Sequence, residues 1–179
     1  MKKYIALLRG INVGGKNKIA MPELKEAFKA AGFSDVISYI NSGNIIFSTA
    51  CANENELATQ CEALITNRFK LNIPVMIISA ENLQAALKNA PAWWTNDASL
   101  RHDAFFVLPP VTAQEIMAQV GDINPLCEKI GFYGQVIFWT VSRDELAKSK
   151  WRKIASTPAF SKVTVRNANT TKKLLQLAE

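Results

Sequence analysis

Short apolar runs alternate along this chain with stretches in which apolar residues recur every three or four positions. Lys3–Arg9 contains Tyr4-Ile5-Ala6-Leu7-Leu8, a compact apolar run with a β-branched and an aromatic member, which predicts a buried strand. Residues 10–20 keep neither rhythm and read as loop. Pro22 suits the first turn of a helix, where its missing N–H costs nothing. Leu24, Ala27, Phe28 and Ala31 then mark one helical face, and Gly32 stops it. Val36–Ile40 predicts a second strand, Asn41-Ser42-Gly43-Asn44 a turn, and Ile45–Ser48 the returning strand of a hairpin. Leu57, Cys61, Leu64, Ile65 and Phe69 keep helical spacing, and Pro74 precedes a fourth strand at Val75–Ile78. The order is βαββαβ.

The order repeats. After a predicted helix at 81–89 and an irregular stretch at 90–103, Asp103–Leu108 reads as a strand closed by Pro109-Pro110. Thr112-Ala113-Gln114-Glu115 is a capping box, and Ile116 and Val120 point inward from the helix it opens. Leu126–Phe132 and Gln135–Val141 form a hairpin around Tyr133-Gly134. Ser142-Arg143-Asp144-Glu145 is a second capping-box pattern, which predicts another α-helix carrying Leu146. Lys162–Arg166 is a short strand, and Asn169 or Thr170 caps a last helix over Lys172–Ala178.

The βαββαβ order predicts an α+β protein made of two ferredoxin-like units with antiparallel sheets and helices on one face. The expected divisions are 1–80, a connecting helix and loop at 81–103, and 104–179. In each unit the first and third strands are neighbours. Antiparallel pairing is expected to separate Arg9, at the end of strand 1, from Asn44, at the start of strand 3.

Composition changes this picture little. The chain has 179 residues, 49% hydrophobic and 20% charged, enough for one core or two small ones. No apolar run approaches membrane-spanning length, so a soluble, cytoplasmic protein with no membrane partner is expected. Three cysteines without C-x-x-C spacing argue against a disulfide framework or zinc site, and one histidine excludes a His-rich metal site. Neither a metal nor a cofactor is expected.

Charge changes it more. Residues 1–25 carry six basic side chains against Glu23, and residues 146–178 carry eight with no acid. The centre, 26–145, holds seven basic and thirteen acidic residues. Two positive ends suit an anionic partner.

Two segments carry candidate chemistry. Gly10-Ile11-Asn12-Val13-Gly14-Gly15-Lys16-Asn17 approaches the phosphate-loop pattern, but Asn17 replaces the metal-binding hydroxyl and Pro22 sets the helix start too late. Its glycines still allow an anion nest, with Arg9, Lys16 and Lys18 adding charge. Around Arg166-Asn167-Ala168-Asn169-Thr170 a strand end meets a helix start, where free N–H groups and a guanidinium can hold phosphate or carboxylate. Candidate ligand-binding residues are therefore Arg9, Asn12, Gly14, Gly15, Lys16, Lys18, Arg166, Asn167, Thr170 and Lys173. No carboxylate pair or nucleophile elbow marks a catalytic centre.

The run Tyr4–Lys18 with Met21 and Leu24, together with Tyr39-Ile40-Asn41-Ser42-Gly43-Asn44, resembles a bacterial family of uncharacterised proteins, the domain-of-unknown-function family 1697. Thr164-Val165-Arg166-Asn167, Asn169-Thr170 and Lys173-Leu174 resemble its C-terminal signature, with Ala168 where a tryptophan is usual. The resemblance implies a duplicated ferredoxin-like fold and no particular activity. Binding of, or action on, a phosphate-bearing small molecule through the basic loops is the expected function. The alternatives are a non-catalytic nucleic-acid binder and an oligomerising interaction protein.

Overall fold

The computed structural model describes residues 1–179. It is a mixed α+β structure with two four-stranded antiparallel sheets. Contacts group 1–84 with 173–179 as one unit and 85–172 as a second.

The first unit runs β1 (Lys2–Leu8), α1 (Met21–Ala30), β2 (Ser34–Tyr39), β3 (Asn44–Thr49), α2 (Glu54–Phe69), β4 (Val75–Ser79) and the start of α3 (Ala80–Lys88), with sheet order β2-β3-β1-β4. Pro22 lies in the first turn of α1, as its fixed φ favours, and Ala31-Gly32 ends the helix with Gly32 at φ +89°. Asn53 caps α2 by accepting from the Asn55 and Glu56 amides. Leu24 and Phe28 of α1 and Leu57, Cys61 and Ile65 of α2 pack on Tyr4, Ala6, Leu8, Ile45 and Phe47. Alternate residues Ile5, Leu7, Ile46 and Ile78 are buried too. Two covered faces explain a continuous apolar run where a half-solvated strand would alternate.

The second unit runs from the end of α3 through β5 (Leu100–Val107), α4 (Ala113–Val120), β6 (Glu128–Tyr133), β7 (Val136–Ser142), β8 (Val163–Asn167) and the start of α5 (Ala168–Ala178), with order β6-β7-β5-β8. The Thr112–Glu115 capping box forms in both directions.

Three expectations are corrected. β5 begins at Leu100, so the irregular stretch is shorter than predicted and Arg101 and His102 lie in the sheet. α5 begins at Ala168, and Asn167 Oδ1 accepts the Thr170 N–H at 2.8 Å, so Asn169 and Thr170 lie inside the helix rather than capping it. The α-helix expected after Ser142 is absent, replaced by 3-10 turns at Leu146–Lys148, Trp151–Ser156 and Pro158–Lys162. A buried carboxylate explains the change. Glu128 accepts from the Ser149 hydroxyl, the Trp139 indole and the backbone amides of Asn124, Lys150 and Trp151. It fixes the chain at 149–151, while Glu145 pairs with Lys148 at 2.9 Å.

Candidate functional site

In the first unit β1 and β3 pair antiparallel with Leu7 opposite Asn44, and the Leu8 amide donates to Gly43 O at 2.8 Å. Antiparallel strands bring the end of one to the start of the next. The expected separation of Arg9 from Asn44 is therefore reversed: the loop after β1 and the β2–β3 turn meet. Asn12 fastens them, donating from Nδ2 to both Ile19 O and Asn41 O at 2.9 Å while its Oδ1 accepts the Ile19 amide. Asn17 Nδ2 donates to Gly10 O at 3.1 Å. A Cβ on Gly43 would stand 2.8 Å from Leu8 Cβ and Ile11 Cδ1. Gly14 and Gly15, both at positive φ, form the tip of a finger closed by a Val13–Lys16 bridge. Lys16 and Lys18 are exposed, Arg9 is half-buried, and a shallow cavity touches Asn12, Lys18 and Asn41. The two asparagine side chains of this loop, Asn12 and Asn17, are engaged in holding its shape.

In the second unit the start of β5 lies beside the ends of β7 and β8, with Leu100 opposite Ser142 and Asp103 opposite Asn167. A cavity of about 460 Å³ opens at that shared end. Its wall carries Arg101, Arg143 and Lys172, with His102, Asp103 and the first turn of α5 at Asn167-Ala168-Asn169. Arg101 Nε donates to Asp103 Oδ2 at 2.8 Å, with the guanidinium carbon 5.8 Å from the centre of the Trp139 ring. Lys172 Nζ donates to Thr95 Oγ1 at 2.8 Å, and Arg143 Nη2 reaches Leu100 O at 3.4 Å. His102 Nδ1 accepts the Thr95 amide and Nε2 lies 2.7 Å from Asp97 O. A carbonyl only accepts, so Nε2 carries the proton and the ring holds the 95–97 loop at the cavity. Burial pushes the Asp103 carboxyl up, and Arg101 pulls it back. Bound to Asp103, Arg101 neutralises the one acid of the wall, leaving Arg143 and Lys172 as net positive charge.

Residues 1–138 match the family described as "Protein of unknown function (DUF1697)". The chain belongs to that family. A solved structure with a similar fold is the conserved bacterial protein SP0830 from Streptococcus pneumoniae, 32% identical, with a TM-score of 0.88 over 99% of both chains. No curated protein matches the chain.

Within this DUF1697 chain, Asn167 lines the second-unit cavity and Thr170, buried, is tied to it through its backbone amide. Arg166 is buried, donating from Nη1 to Thr164 Oγ1 at 3.0 Å and Val165 O at 2.8 Å, and burial lowers its pKa to about 10. Lys173 is exposed and groups with the first unit. Sequence reasoning missed Arg101, His102 and Arg143, because 90–103 read as irregular and 142–145 as a helix cap. Strand pairing was the available signal, since the start of β5 must adjoin the ends of its antiparallel neighbours. No set of three or more His, Cys, Asp or Glu side chains gathers as a metal would require. Burial pushes the Cys61 thiol up to about 12, far from a reactive thiolate. No helix is long and apolar enough to cross a membrane.

Proposed function

We propose that the second unit binds a small molecule bearing phosphate or carboxylate at the Arg101–Arg143–Lys172 cavity. One observation carries this reading: three cationic side chains and the positive end of α5 border one cavity whose single carboxylate is already paired. Arg143 offers a planar fork suited to an oxyanion, and Lys172 a mobile point charge. Asn167 and Thr170 serve by setting the first turn of α5. Asn12, Gly14 and Gly15 shape the first-unit loop, and Arg9, Lys16, Lys18, Arg166 and Lys173 add to the net charge of +6 that draws anions in.

A small anion is favoured over a single-stranded nucleic acid because no phenylalanine, tyrosine or tryptophan side chain lines the cationic cavity to stack a base, and Trp94, Trp139 and Trp151 are buried. The same reading takes each unit as a ferredoxin-like module and the chain as a duplication, supported by the parallel orders β2-β3-β1-β4 and β6-β7-β5-β8. Three free cysteines suit a reducing, cytoplasmic setting.

Calorimetric titration with inorganic phosphate and pyrophosphate at low ionic strength tests the proposal. Saturable binding is expected, weakened roughly tenfold by Arg143→Ala or Lys172→Ala. Both side chains are exposed, so the variants should fold. Absence of binding, or variants with unchanged affinity, contradicts it.

A second reading has its own support. β6 is an edge strand, and Leu126, Phe132 and Tyr133 at it are exposed, which suits pairing with another copy. Light scattering at high protein concentration should then show dimers, and a monodisperse monomer removes this reading.

A further inference from the structure

The chain has a single histidine, and it stands in the wall of the cationic cavity with both ring nitrogens engaged. His102 Nδ1 accepts the Thr95 amide at 3.3 Å, and Nε2–H donates to Asp97 O at 2.7 Å. A neutral imidazole offers one acceptor and one donor, and the 95–97 loop uses both. Thr95 is the residue most dependent on this grip. Its backbone lies at φ +68°, where a β-branched residue is an outlier. Its Oγ1 accepts Lys172 Nζ at 2.8 Å. His102 thus fixes a strained residue, and that residue engages one of the cavity cations.

Histidine is the side chain whose charge ordinarily changes between about pH 5 and 8. The imidazolium donates from both nitrogens. Nε2–H keeps its bond to Asp97 O, but an Nδ1–H would point at the Thr95 N–H, donor against donor. The Thr95 side of the loop loses its anchor while the Asp97 side keeps it. Charged groups face the ring from every side. The carboxylates of Asp97 in the loop and Asp103 in β5 act on it. Arg101 of β5, Arg143 after β7 and Lys172 of α5 share its cavity wall, and Lys129 of β6 lies on its face of the sheet beyond Thr140. Hydrogen bonds from Ser99 hold the Asp97 carboxyl below its ordinary range, so Asp97 stays charged as the ring titrates.

We infer that His102 is a pH switch on the anion cavity: its protonation releases Thr95, frees Lys172 from the Thr95 hydroxyl and tightens anion binding. Two changes act in the same direction. The wall gains the imidazolium charge, and the Lys172 ammonium regains the N–H that Thr95 had engaged. The inference rests on the anion cavity proposed above and adds its regulation.

Sulfate is the probe, because it stays a dianion across this range whereas phosphate titrates within it. Calorimetry on the whole chain should show sulfate binding roughly tenfold tighter at pH 5.5 than at pH 8. His102→Asn keeps an acceptor for the Thr95 amide and has no charge to gain, so its sulfate affinity should be the same at both. A second measurement needs neither a variant nor an anion. With one histidine in the chain, its ring signals are unambiguous, and the Thr95 amide signal should move with them through the titration. Equal sulfate affinity at both pH values overturns the inference while leaving the anion cavity standing. A pH dependence that survives in His102→Asn assigns the effect to Asp103 and overturns it too, as does a Thr95 amide that stays still while the ring titrates. No sulfate binding at either pH removes the cavity reading and the switch together.

Discussion

Arg101 and Asp103 are two residues apart on one face of β5, and their pairing places a carboxylate in an otherwise cationic wall at little cost. Asp103 is buried while the Arg101 side chain is 47% exposed. Burial raises the Asp103 pKa above its ordinary 3.8 despite the opposing pull of Arg101. A carboxyl raised in the folded state favours folding at low pH and loses that contribution as pH rises from about 3.8 through the folded value. Arg101→Ala should therefore cost about 1–2 kcal/mol at pH 7, less than for a fully buried pair because Arg101 is half in water. Denaturant melts should show the deficit shrinking as Asp103 protonates. A deficit independent of pH would mean that Arg101 acts by packing alone. Gly43→Ala should cost about 2–4 kcal/mol, because it combines a positive φ with a Cβ pressed against Leu8 and Ile11. Gly14→Ala meets no neighbouring atom and should cost only ~1–2 kcal/mol. Equal losses would contradict the close-contact account. Legibility at this scale follows sequence distance. The Thr112–Glu115 box was readable because both partners lie three residues apart. The role of Asn12 was not, because its partners lie seven and twenty-nine residues away.

Elements defined by their own periodicity and caps were legible: α1, α2, α4 and the central strands fall where the pattern puts them. The segment 142–162 was not, because a residue outside it decides its form. Burial pushes the Glu128 carboxyl up, but hydrogen bonds from Ser149, Trp139 and the Asn124 and Lys150 amides outweigh it and hold its pKa below the ordinary 4.5. The charged carboxylate thus outcompetes the local capping pattern for this chain segment. Glu128→Gln puts an NH₂ against donors and should destabilise the protein by about 3 kcal/mol at neutral pH. A group depressed in the folded state stabilises above its unfolded pKa and loses that contribution as pH falls through the folded value. Melting temperatures from pH 7 to pH 3 should fall in the wild type and converge on those of Glu128→Gln. Parallel curves would show that the Glu128 charge is not what holds the 3-10 turns.

At the scale of the whole molecule, antiparallel pairing is what turns scattered residues into a site. Residues at the start of β5, just after β7 and at the end of β8 are distant in sequence and adjacent in the sheet. Reading βαββαβ from the sequence was enough to foresee the strand neighbours, yet the direction of pairing was not carried through to the strand ends. Charge counts pointed to the basic termini, but Arg101 and Arg143 come from the net-acidic centre of the chain, where a count hides them. The central claim, that the cationic cavity beside α5 is the anion site, predicts where a bound anion is felt. Backbone amide signals should be followed through a titration with inorganic phosphate at low ionic strength. The account predicts saturable shifts concentrated at Arg101, Arg143 and Asn167–Lys172, with the midpoint raised roughly tenfold in Lys172→Ala. Shifts centred on Gly14–Lys18 instead, or no saturable shift anywhere in the folded protein, would contradict it.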